Sequence, residues 1–186
     1  MLKKIILTIF FSFILTKPLQ ASTKEKIINH LQKINNLNFN FKQTIGKKNE
    51  KGNCTIQYPK KIYCLYNNSN KKIIVSNGKS LAIKNQTSNQ YYLYSLKKTP
   101  LELILDKNFL INQINNLESR IVDNKYINFT ILKDNNEINI FFDKKTLNLV
   151  GWQTEDAYQN LVITYIYKIK YNQKIDKNLF KLPKKN

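Results

Sequence analysis

The chain is poor in the residues that most often carry out chemistry. Its 186 residues include one histidine (His30), one arginine (Arg120), two cysteines, four glycines and twelve acidic residues. A lone histidine leaves no serine–histidine arrangement and no histidine–cysteine cluster of the size zinc requires. His30 lies beside an apolar helical stripe and reads as a half-exposed helix residue. Four scattered glycines make no phosphate-cradling loop. Glu155-Asp156 is the only adjacent acidic pair and reads as a solvated strand end. No catalytic, metal-binding or cofactor-binding set is expected from these residues.

Acid is scarce relative to base. Thirty-one basic residues face twelve acidic ones, for a formal net charge of +19. All but Arg120 are lysine, and they accompany 27 asparagines and 25 isoleucines, which is what an AT-rich coding sequence would produce. The lysines stand singly or in pairs, with no arginine cluster of the kind that reads bases, so nucleic acid is not expected as a partner. Weak attraction to anionic lipid surfaces or acidic partners remains compatible with the charge.

Long apolar runs are missing except at the start. Met1-Leu2-Lys3-Lys4 is a basic prefix, Ile5 to Leu15 is apolar but for Thr8 and Ser12, and Lys17-Pro18 ends the run. That run is too short for the ~20 residues of a membrane span but suits a cleaved signal peptide, here residues 1–21. The mature protein, 22–186, is expected to be exported and soluble. No linker, repeat or Gly/Pro-rich boundary divides it, so it reads as one domain.

Export favours oxidised thiols. Cys54 and Cys64 flank Tyr58-Pro59, and a hairpin turning there would set them opposite each other, close enough for a bridge. Closing so short a loop would stabilise the fold by about 3 kcal/mol on the chain-entropy model. The pair reads as a staple.

Ser22-Thr23-Lys24-Glu25 has the capping-box pattern, and Ile27, Ile28, Leu31 and Ile34 follow at helical spacing. The period then changes to two, with Leu37, Phe39 and Phe41 alternating with polar residues. Further strands are expected over 73–76 and 79–84 around Asn77-Gly78, then over 91–96, 126–132, 137–142, 147–155 and 160–171. Thr99-Pro100 reads as the cap and first turn of a second helix that presents Leu101, Ile104 and Leu105. The expected fold is therefore mainly β with α: one antiparallel meander curled into an incomplete barrel, covered by about two helices. These would form a lid over an apolar cavity, the same apolar faces reading equally as an ordinary packed core. Phe39, Phe41, Ile138, Ile140, Phe142, Ile163, Tyr165 and Tyr167 are the candidate wall. The odd-numbered face of 161–171 is expected to point inward.

In this order the motifs resemble the periplasmic outer-membrane lipoprotein carriers of the LolA family, over nearly the whole mature chain. Phe39-Asn40-Phe41-Lys42-Gln43-Thr44 is similar to the family's F-x-Q strand, and Tyr58-Pro59 to its hairpin proline. Ile74 to Leu81 is similar to V-S-D-G-K-x-L, and Thr99-Pro100-Leu101 to the family's T-P helix start. Gly151 to Asp156 resembles its D-x-x-G/Q strand region, and Leu179-Phe180-Lys181-Leu182-Pro183 its closing L-F-x-F-x-P. Family members often carry an arginine before the hairpin proline, which the resemblance implies helps latch the lid. Tyr58 stands there instead, and its hydroxyl is the candidate latch. Where an Arg-aromatic pair often follows the turn, this chain has Tyr63-Cys64.

The resemblance implies a monomeric periplasmic carrier that binds the acyl chains of triacylated lipoproteins. It would load from an inner-membrane ABC-type release complex and hand over to an outer-membrane receptor if one is present. Two other classes fit the same residues: a periplasmic lipid- or lipoprotein-sensing domain of this fold, and a secreted enzyme with an unrecognised site.

Overall fold

A computed structural model describes residues 22–68, 71–87, 90–134, 136–156 and 159–183. The expected signal segment, 1–21, lies outside them. Helix α1 (Thr23–Gln32) leads into strands β1 (Asn36–Ile45), β2 (Lys48–Gln57), β3 (Lys61–Tyr66), β4 (Lys72–Asn77), β5 (Ser80–Asn85) and β6 (Tyr91–Ser95). A 3-10 turn (Leu96–Lys98) and helices α2 (Leu101–Leu105) and α3 (Lys107–Asn116) follow. Strands β7 (Arg120–Val122), β8 (Tyr126–Lys133), β9 (Asn136–Asp143), β10 (Leu149–Glu155) and β11 (Leu161–Tyr171) complete the chain.

All eleven strands form one antiparallel sheet in the order β6-β5-β4-β3-β2-β1-β11-β10-β9-β8-β7. The first meander runs outward from β1 to one edge. The helices then carry the chain across to the other edge, and the second meander returns inward until β11 pairs with β1. Sheet edges β6 and β7 do not meet, so the barrel stays open, as expected.

Local chemistry sets the ends of the elements. Ser22 caps α1 reciprocally with Glu25, the expected capping box. Thr99 does not cap α2; its hydroxyl donates to the Leu96 carbonyl, and Pro100 occupies the cap position. The third helix, α3, exceeds the two expected. Asp106 caps it by accepting from the Phe109 amide. Asn172, after β11, clamps the α1–β1 link: its side chain accepts from the Asn35 amide and donates to the Lys33 carbonyl.

The halves of the inner face are filled differently. Ile127, Phe129, Ile131, Ile138, Ile140 and Phe142 of β8 and β9 are almost completely buried, in one cluster with Leu110 and Ile114 of α3. Phe129 and Phe142 meet edge to face at 6.0 Å. Ile138, Ile140 and Phe142 are therefore solid core and not cavity wall. None of the three lines the cavity under α2.

Candidate functional site

On the other half of the sheet, the shorter helix α2 leaves a cavity of about 320 Å³. Its walls are Phe39, Phe41 and Ile45 of β1, Ile62 of β3, Ile74 of β4 and Ile83 of β5, with Trp152 of β10 and Val162 of β11. Leu101 and Ile104 of α2 roof it. Leu105, the third residue of the expected lid face, is fully buried in the core beside them. Cys54 and Cys64 oppose each other across β2 and β3 and are joined by a disulfide, which also lines the cavity.

Phe41 fits because Gly52 opposes it on β2. A Cβ there would lie 2.2 Å from the Leu65 carbonyl oxygen and 2.7 Å from the Phe41 ring, so glycine lets both the neighbouring backbone and that ring approach. Trp152, the single tryptophan, stands edge-on to Phe39 at 6.3 Å.

The expected inward face of β11 points the wrong way. Val162, Thr164 and Ile166 are buried, whereas Leu161, Ile163 and Tyr165 are exposed by 42 to 47%. The cause is a bulge. Asn38 pairs with Lys170 but Asn40 with Tyr167, so β11 carries an extra residue, and Lys168 takes a φ of 53°. A one-residue shift exchanges the faces. Ile169 and Tyr171 pack inward, whereas Ile163, Tyr165 and Tyr167 stand on the outer face, where the two tyrosines stack at 6.1 Å. There Tyr165 opposes Gly151 and borders a shallow groove with Tyr126 and Phe141. Those three residues do not line the cavity.

The latch also differs from expectation. Among the described residues the Tyr58 hydroxyl makes no hydrogen bond, and its ring packs against the core with the Lys107 ammonium 5.8 Å away. Lys60, two residues on, ties the β2–β3 turn to the roof. Its Nζ lies 2.9 Å from Glu102 Oε1 and 3.1 Å from Asp106 Oδ2, and its amide donates to the Leu105 carbonyl. These carboxylates raise the pKa of Lys60, Glu102 first and Asp106 next. The sequence signal was available: a lysine in a proline turn, one acid in the first turn of a short helix and another just after it.

One rim of the cavity is polar. Tyr66 donates to Gln43 Oε1, and Gln43 Nε2 donates to Thr164. Lys72 lies 3.8 Å above the Tyr66 ring and 2.7 Å from the buried Glu50, which Lys48 also pairs. Burial alone would raise the Glu50 pKa. Hydrogen bonds from Lys72 and Lys48, with their charges, outweigh burial and hold the pKa below its ordinary value. The site therefore combines an apolar pocket, a short helical roof with a charged tie, and a hydrogen-bonded rim.

The family profile described as outer membrane lipoprotein carrier protein LolA matches residues 32–183. The chain belongs to the LolA family. No curated protein matches it. A solved structure of an uncharacterized conserved protein from Thermus thermophilus shares 7% identity, covering 88% of this chain and 96% of that one with a TM-score of 0.53. A LolA superfamily protein from Nitrosomonas europaea shares 10% identity over 87% and 99%, with a TM-score of 0.43. The MucA/MucB complex of Pseudomonas aeruginosa gives 8% identity over 88% of this chain and 62% of that one, with a TM-score of 0.46. At such identities the likeness is one of fold. Of the segments that resemble LolA motifs, Phe39 to Gln43 lies in the cavity wall, Tyr58-Pro59 in the β2–β3 turn and Thr99-Pro100 at the start of the roof.

Proposed function

We propose that the protein is a periplasmic carrier that shelters the acyl chains of lipoproteins between the inner and outer membranes. The observation that carries this reading is the apolar cavity under α2, in a chain of the LolA family. Acyl chains resist water by about 0.8 kcal/mol per methylene, so a triacylated lipoprotein cannot cross an aqueous space unaided. An apolar pocket removes that barrier without a chemical step.

At about 320 Å³ the cavity is at the lower end of the range for small-molecule sites, ~300–1,000 Å³. It takes part of one chain, so a triacylated cargo requires the roof to move. Helix α2 is only five residues long and is tied down by Lys60 at the β2–β3 turn. Opening exchanges one ion-pair cluster and a few side-chain contacts for apolar contact with cargo. The cargo is released again when a partner offers better burial. The partners in this reading are an inner-membrane ABC-type release complex and an outer-membrane receptor.

Trp152 reports directly on occupancy, because the only tryptophan stands in the cavity wall. A synthetic triacylated lipopeptide with brominated chains should quench its fluorescence saturably, and the unacylated peptide should not. Acylated and unacylated peptides with equal effect would refute the reading.

A further inference from the structure

Strand β6, Tyr91–Ser95, closes one edge of the sheet, and its outward backbone edge pairs with no described strand. Tyr92, Leu93 and Tyr94 on it are exposed by 62, 56 and 47%. Edge strands are usually blunted by charge, proline or a bulge, and this one carries none within its span. Three large apolar or aromatic side chains in water at one edge need an occupant.

The surroundings say which kind. Residues 51–101 contain nine lysines and no aspartate or glutamate, although the chain has twelve acids elsewhere. Lys97 and Lys98 lie just beyond β6 after the buried Leu96 and are exposed, and Lys84 pairs with Tyr91. Tyrosine suits a boundary between lipid and water, because its ring is apolar and its hydroxyl is wet. Lysines beside it reach the charged headgroups while their stems cover apolar surface.

The position fits as well. Tyr92 pairs with Ile83 and Tyr94 with Leu81, so both tyrosines extend the inner face outward from β5. Ile83 is part of the cavity wall. An apolar strip therefore runs from the exposed edge to the cavity.

We propose that β6, with Lys84, Lys97 and Lys98, docks the protein transiently on an anionic lipid bilayer and sets the cavity edge against it. The use of this strip as a route for acyl chains rests on the carrier reading; the docking itself does not. The two can therefore fail separately.

The test is sedimentation of the purified protein with phosphatidylcholine vesicles containing about one-third phosphatidylglycerol, and with phosphatidylcholine alone. Binding should occur to the anionic vesicles only and weaken with salt. Tyr92→Ser, Leu93→Ser and Tyr94→Ser combined should weaken it about tenfold or more, as should Lys97→Glu with Lys98→Glu. These side chains are exposed, and circular dichroism establishes that each variant is folded. Lipopeptide quenching of Trp152 in detergent-free solution should persist in both variants, which separates docking from cargo binding. Absence of binding to anionic vesicles would overturn the proposal, as would undiminished binding by either variant. A concentration-dependent dimer abolished by the serine substitutions, with no vesicle binding, would also overturn it and assign the edge to a second copy.

Discussion

Lys60 Nζ stands 2.9 Å from Glu102 Oε1, so one ammonium in the β2–β3 turn holds the helix that roofs the cavity. Both partners are mostly shielded from solvent, and Asp106 joins them at 3.1 Å. Lys60→Met should therefore loosen α2 by about 1–2 kcal/mol, a charge-assisted bond discounted for partial exposure. Hydrogen exchange over 101–105 should speed up correspondingly, while Tyr58→Phe leaves it unchanged. Because the folded pKa of Lys60 is raised, its contribution is complete below the ordinary lysine value of 10.5. It is lost only as pH rises through the folded value. The roof should hold through neutral pH and loosen in strong base.

Glu50 behaves in the opposite sense. Its pKa is lowered from 4.5, so its contribution is complete above the unfolded value and is lost as pH falls through the folded one. Thermal melts below pH 4.5 should show wild type converging on Glu50→Gln. At pH 7 the variant should be less stable, because Lys72 and Lys48 lose their shared partner.

Gly151 lies under the Tyr165 side of β11, and a Cβ there would come within 2.3 Å of the Thr164 carbonyl oxygen. That obstacle is backbone and cannot swing away. Gly151→Ala should destabilise the β10–β11 pair by about 2–3 kcal/mol, measured by denaturant titration. Gly46→Ala meets no atom within 4 Å and pays only for its φ of +54°, about 1 kcal/mol.

The two faces of β11 make a paired test. Ile163 is 42% exposed on the outer face and Val162 is 8% exposed in the cavity wall. Ile163→Lys should fold with a stability change of about 0.5 kcal/mol or less and bind acyl ligand as wild type does. Val162→Lys should lose acyl binding, because it places a charge in the pocket.

The meander, the capping box, the Asn77-Gly78 hairpin and the Cys54–Cys64 register were all legible, because each rests on local spacing. What could not be read depends on long-range pairing. The face reversal in β11 comes from the extra residue at Lys168, which only the pairing with β1 reveals. Helix α3 was obscured by its asparagines, 108, 112, 115 and 116, which are weak helix formers. Its Asp106 cap and the Leu110–Ile114 spacing were nevertheless present. Missing α3 also moved Ile138, Ile140 and Phe142 from solid core to cavity wall. Strand and helix spacing put Phe39, Phe41, Leu101 and Ile104 on apolar faces, and all four line the cavity.

The most direct test is photolabelling with a triacylated lipopeptide that carries a diazirine in one acyl chain, followed by peptide mapping of the adducts. The carrier reading predicts labels on Phe39, Ile83, Leu101, Ile104, Trp152 and Val162, competed by unlabelled lipopeptide. Labels confined to the outer-face residues Tyr126, Phe141, Ile163 and Tyr165, or no competable label, would contradict it.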